Sequence, residues 1–105
     1  MKSERFHKII ENRTKLIQEV LGNKAKEYAL NGDRLHNFKV AAQINGESQA
    51  RALWGMATKH LVSVIDLIEG RLEPTEHLIN EKIGDMINYL ILLEAIFQEG
   101  IDDLG

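Results

Sequence analysis

A chain of 105 residues, 44% of them hydrophobic, is sized for one domain with a modest core. Its net charge of −3 argues against a broad duplex-DNA surface, and the missing cysteines remove disulfides, thiolate chemistry and Cys-based zinc sites. The polar start MKSERFHKIIENR does not fit a signal peptide, and no apolar run reaches the ~20 residues of a membrane span. The expectation is a cytoplasmic protein with no membrane partner.

Helical periodicity runs through almost the whole chain, with a single proline and no alternating strand pattern. The first helix is predicted from Ser3 as N-cap, with Phe6, Ile9, Ile10, Ile17, Val20 and Leu21 on its apolar face. Gly22-Asn23 could end it, but Ala25, Tyr28 and Ala29 keep the period, so it is expected to reach about residue 29. Asn31-Gly32 breaks the chain, and Asp33 is expected to cap a short helix that buries Leu35, Phe38 and Ala42. Ser48 should cap a third helix that runs to Glu69, with Gly70 as its stop. Thr75 should cap the last helix, which is expected to end near Glu99–Gly100 and leave IDDLG frayed. The fold class read from this pattern is all-α, a helical bundle of three long helices and one short one. The apolar girth of 53–68 and 83–97 exceeds what a monomer this small can hide, so a homo-oligomer is expected.

Charge is uneven along the chain. Residues 1–40 hold nine Lys/Arg and five Asp/Glu, whereas residues 41–105 hold four and eleven. Two halves that attract across a fold or subunit boundary account for this, as does a basic wall for phosphate opposite an acidic wall for metal.

The two most apolar helices also carry polar stripes. Lys59, Ser63 and Asp66 share one face of the third helix, and Glu81, Asp85 and Asn88 share one face of the last. Charged groups are seldom buried unless paired or bound to something. Each stripe is therefore either part of a buried ion-pair network that fixes helix register or part of a site for a charged ligand. Two carboxylates one turn apart repel, and a hard cation such as Mg²⁺ relieves that repulsion. The competing explanation pairs Glu81 or Asp85 with Lys59, Lys82 or an arginine. Lys59 is expected to point toward Asp85, Ser63 to bond back to the carbonyl of Lys59, and His60 to turn to a neighbouring face near Met56, Ala57 and Val64. In the short helix, Arg34 and Lys39 suit phosphate, and His36 and Asn37 stand beside them. His36 and His60 with Asp66 and Asp85 also allow a two-His, two-Asp metal set, though without an adjacent His-Asp pair. There is no glycine-rich phosphate loop, H-E-x-x-H or nucleophile elbow.

The segments NGDRLHNFK (31–39), LWGMATKHLVSVID (53–66) and EKIGDMINYLILL (81–93) together resemble a small phage and prophage family. That family is related to the nucleotide-modification-associated all-α domain. The last segment also resembles the final motif helix of the MazG-like nucleoside triphosphate pyrophosphohydrolases. The resemblance spans roughly residues 24–97 and implies an oligomeric helical bundle that holds a nucleotide or small phosphorylated ligand near divalent metal. On that basis Glu81 and Asp85, with Asp66 as a third candidate, would hold Mg²⁺ and activate water. Arg34, His36 and Lys59 would meet phosphate, and His60 and Ser63 fall at neighbouring motif positions. Asn37, Asn88 and Tyr89 would contact base or sugar. The chain departs from the MazG-like pattern where paired glutamates are expected, since Lys59, His60 and Ser63 stand there, and Lys82 replaces the second acid before Gly84-Asp85.

Overall fold

The computed structural model describes residues 1–24 and 32–105, and all of its regular structure there is helical. Helix α1 spans Ser3–Ile17 and continues as a π-helical stretch, Gln18–Lys24. Helix α2 spans His36–Asn45, and α3 spans Gln49–Ile68. A single turn, α4 (Glu76–Leu78), passes through a π-helical stretch, Ile79–Ile83, into α5, Gly84–Leu104. Counted as continuous rods, these are the three long helices and one short helix expected from the periodicity. The continuation through Ala25, Tyr28 and Ala29 lies outside the described residues.

Local chemistry explains most boundaries. The Ser48 hydroxyl accepts from the Arg51 N–H and the Thr75 hydroxyl from the Leu78 N–H, so both expected caps form. Gly46 ends α2 in the left-handed region at φ +63°, and Gly70 turns the chain after α3 at φ +79°, conformations that glycine adopts without strain. Three ends differ from expectation. Lys2 rather than Ser3 is the N-cap of α1, and it makes no side-chain cap. The carboxylate of Asp33 accepts from the Leu35 N–H two residues on, so it shapes the turn ahead of α2 instead of capping it. Gly100 does not stop α5, which reaches Leu104. One glycine in an exposed helix costs only about 1 kcal/mol against alanine, and the Gln98 side chain donates to Asp102 across it, one turn on.

The core lies where α2, α3 and α5 meet. Leu35, Phe38, Leu53 and Ala57 are its buried centre, with Met56, Met86, Tyr89, Leu92, Leu93 and Ile96 packed around them. Leu53 is fully buried. Helix α1 contributes no buried residue. Its Arg13 guanidinium donates to the carbonyl of Asn80 at 3.3 Å and lies against Gly84, where a Cβ would come within 2.6 Å of it. Gly84 is thus the gap through which α1 reaches the bundle. Among the described residues, no helix is long and apolar enough to cross a membrane.

Candidate functional site

Which polar residues face the α3–α5 seam follows from helical geometry. His60 lies seven positions after Leu53 and three after Ala57, on the stripe of α3 that forms the core. On α5, Asp85 shares a stripe with Tyr89, Leu92 and Ile96, which pack against that core. The two stripes meet, and so do their polar members. His60 Nδ1 stands 3.2 Å from an Asp85 carboxylate oxygen, with the His60 side chain 20% exposed and that of Asp85 37%. The His60 and Tyr89 rings lie 5.0 Å apart at 32°. Nearby on α5, the Oδ1 of Asn88 is buried with no hydrogen-bond partner.

The periodicity already contains this pair in the i, i+7 relation of His60 to Leu53. The expectation that Lys59 faces Asp85 is corrected here. Lys59 is one position, about 100°, off the core stripe, and its side chain is exposed. Ser63 donates to the Lys59 carbonyl at 3.3 Å, the local bond expected for it. Asp66 accepts from the Arg71 guanidinium at 2.9 Å, at the far end of α3. The stripe Lys59–Ser63–Asp66 is therefore peripheral to the seam.

Glu81 and Asp85 also part company. Glu81 sits in the π-helical stretch and finds its partners on its own helical rod, whereas Asp85 finds its partner across the seam. Its carboxylate pairs with Lys82 at 2.8 Å and His77 at 3.1 Å. The hydrogen bond and charge of Lys82, helped by His77, hold Glu81 below the ordinary glutamate value. The same hydrogen bond holds Lys82 above the ordinary lysine value.

Asp66, Glu81 and Asp85 do not form one three-carboxylate group among the described residues. Each of them faces a different cation or imidazole. Among the described residues, no three His, Asp or Glu stand together as a group that could hold a metal ion. The combination of His36 and His60 with Asp66 and Asp85 is likewise not assembled.

Arg34, His36 and Asn37 belong to a different place. With Leu35 and Phe38 they line an open cavity of about 710 Å³ against Ile91, Leu92, Ala95 and Gln98 of α5. The Arg34 guanidinium donates to the carbonyl of Leu21. Asp33, Glu99 and Asp102 also line this cavity. Lys39 spans Asp33 at 2.7 Å and Glu99 at 3.0 Å, tying α2 to the C-terminal half of α5. The Lys39 hydrogen bond and the Leu35 N–H lower the Asp33 pKa, and hydrogen bonds to Asp33 and Glu99 raise that of Lys39. With three carboxylates around it, this cavity suits phosphate less well than the seam does. Thirteen residues of α5 separate Asp85 from Gln98, or about 20 Å of helix. The residues expected to form one site thus fall into two places in the protomer.

No protein-family model, curated protein or solved structure matches the chain.

Proposed function

We propose that the seam cluster binds a nucleotide or small phosphorylated ligand, in the manner of the MazG-like and nucleotide-modification-associated proteins that the motifs resemble. The supporting observation is the His60–Asp85 pair on two facing core stripes, with the Tyr89 ring beside it and the unpartnered Asn88 oxygen close by in sequence. Two aromatic rings offer a stacking surface that tolerates any base. The Asn88 amide supplies the donor and acceptor that base or sugar recognition uses. Lys82, paired with Glu81, and Arg13, bonded to the Asn80 carbonyl beside Gly84, are the cations that would exchange these partners for phosphate oxygens. Arg34 and Lys59 are placed further off and have secondary parts in this reading.

An imidazole oriented by a carboxylate is also the arrangement that accepts a proton from water. The proposal therefore extends to hydrolysis of a (d)NTP phosphoanhydride, in the nucleotide metabolism of a phage or prophage. The reading in which the polar stripes form a buried register-fixing network has less support, because no described polar or charged residue is fully buried.

Thermal melts with a panel of NTPs and dNTPs, with and without Mg²⁺, test the proposal. Ligand at 100 times its Kd should stabilise the native state by about 2.7 kcal/mol. Chromatographic analysis of the same mixtures reports any monophosphate and pyrophosphate formed. A flat melting temperature across the panel at millimolar ligand would overturn the proposal.

A further inference from the structure

Helix α1 is an amphipathic rod without a partner for half of its length. Phe6, Ile9, Ile10, Arg13, Leu16, Ile17 and Val20 fall on one stripe at helical spacing. At its C-terminal end the stripe is engaged. Arg13 bonds to Asn80, Leu16 and Ile17 are half-buried, and Leu21 shares a cavity with Ile91 and Leu92. Because residue 13 meets 80–84 and residue 21 lines the same cavity as 91–92, α1 runs alongside α5 in the same sense. The first two turns of α1 therefore overhang the start of α5. There Phe6 is 56% exposed and Ile10 47%.

A second apolar stripe is uncovered on α5. Leu90, Phe97, Ile101 and Leu104 recur at seven, four and three residues, within about 60° of helix circumference. Phe97 is 58% and Ile101 62% exposed. The two stripes are electrically complementary. Helix α1 carries four Lys/Arg and two Asp/Glu, whereas α5 carries five Asp/Glu and no Lys/Arg. Within one protomer the stripes cannot meet, because the overhang points away from the C-terminal half of α5.

We infer that the occupant of each stripe is a second copy of this chain, the α1 overhang of one protomer lying on the Leu90–Leu104 stripe of its partner's α5. A two-fold arrangement makes this contact twice and uses both stripes of both copies, so the assembly closes at the dimer. Pairing α1 with α1 and α5 with α5 would also cover the apolar surface, but it sets one acidic α5, with no Lys/Arg of its own, against another. The inference is independent of the nucleotide proposal, since neither the first two turns of α1 nor the Leu90–Leu104 stripe includes a seam residue.

The test uses the full chain and two exposed-site variants, Ile10→Glu and Phe97→Arg. Light scattering at tens of micromolar should give twice the 11.9 kDa protomer mass for the parent and one protomer mass for each variant. Circular dichroism should show parental helicity in both. An equimolar mixture should regain the dimer mass. In that heterodimer one contact is unaltered, and the other opposes the glutamate introduced on α1 to the arginine introduced on α5. Like-with-like pairing predicts no recovery on mixing, because each new charge would then face an apolar residue. A monomeric parent, dimeric variants or an unrecovered mixture would overturn the inference, whether another protein, a further copy arrangement or water covers these stripes. Nucleotide melts on the monomeric variants report separately on the seam, so the two readings fail independently.

Discussion

Replacing His60 with alanine separates a ligand site from a structural pair at the α3–α5 seam. The substitution removes three things: the contact to Asp85 at 3.2 Å, the ring beside Tyr89 at 5.0 Å, and the imidazole volume. The contact to the carboxylate is worth about 0.2–1 kcal/mol, because the Asp85 side chain is 37% exposed and water takes the place of the imidazole. The ring contact adds about 0.5–1.5 kcal/mol. With about 1 kcal/mol more for the lost imidazole volume, the ligand-free cost of His60→Ala is about 2–3.5 kcal/mol, toward the low end of the ~3–5 kcal/mol lost when a buried charge is stranded. Urea denaturation without ligand measures it, at fixed protein concentration because association also stabilises the native state. Nucleotide affinity should suffer more in proportion. Loss of one stacking partner, at about 1–3 kcal/mol per base, weakens binding roughly five- to 150-fold. A ligand-free loss above about 4 kcal/mol, within the range for a stranded buried charge, would refute the reasoning. So would a nucleotide-induced rise in melting temperature equal to that of the parent.

Four other substitutions probe the rest of the molecule. Leu53→Ala empties the centre of the core and should cost about 3–5 kcal/mol in the same urea assay, a large share of the stability of a small domain. Lys39→Met cuts the link from α2 to α5 and should change how stability depends on pH. The depressed Asp33 carboxyl stabilises the fold above its unfolded pKa, near pH 4, and that contribution is lost as pH falls through the lower folded value. The raised Lys39 stabilises below its unfolded pKa, near pH 10.4, and that is lost as pH rises through the higher folded value. Both edges should flatten in the variant when urea midpoints are compared from strongly acidic to strongly alkaline pH. Lys82→Met should weaken nucleotide binding in thermal melts more than Lys59→Met does. Lys59→Met should alter ligand-free stability by no more than ~0.5 kcal/mol, the scale of an exposed position without special contacts.

The fold is legible in the sequence where local chemistry and periodicity agree. Ser48, Thr75, Gly46 and Gly70 act through their own hydroxyls or backbone conformations, so a single residue type announces each boundary. The burial of Leu35, Phe38 and Ala42 follows from spacing alone. The end of α5 is not legible, because Gly100 reads as a stop unless the helix on either side outweighs it. The seam is half legible. Asp85 stands out as its acid, but spacing and sign together point to Lys59 as the partner, one position away from His60. A charged residue invites pairing by sign, whereas the core stripe is set by Leu53 and Ala57, and His60 is the polar residue that continues it. The π-helical stretch is invisible, since Ile79–Ile83 has an ordinary helical sequence. Glu81, inside this stretch, pairs with Lys82 and His77 on its own rod, while Asp85 faces His60 across the seam.

Helix α5 joins these observations. Its first turns carry Asp85, Asn88 and Tyr89 on or near the seam, where α3 supplies His60 and α1 supplies Arg13. Its later turns change character, with Phe97, Ile101 and Leu104 exposed and every ionisable side chain acidic. The charge imbalance between residues 1–40 and 41–105 then has a structural meaning inside the protomer. The Arg13 and Lys39 side chains reach opposite ends of the last helical rod, one at the Asn80 carbonyl and the other at Glu99. The basic half thus grips the acidic half at two points well separated along that rod, and between them lie the polar seam and the cavity. Among the described residues, those two grips leave the bases at the start of α1 without an acidic partner, and the acids at the end of α5 without a basic one. The unmatched charges lie on the same two helices as the uncovered apolar stripes. A partner that satisfies one must therefore satisfy the other, and a second copy carries both.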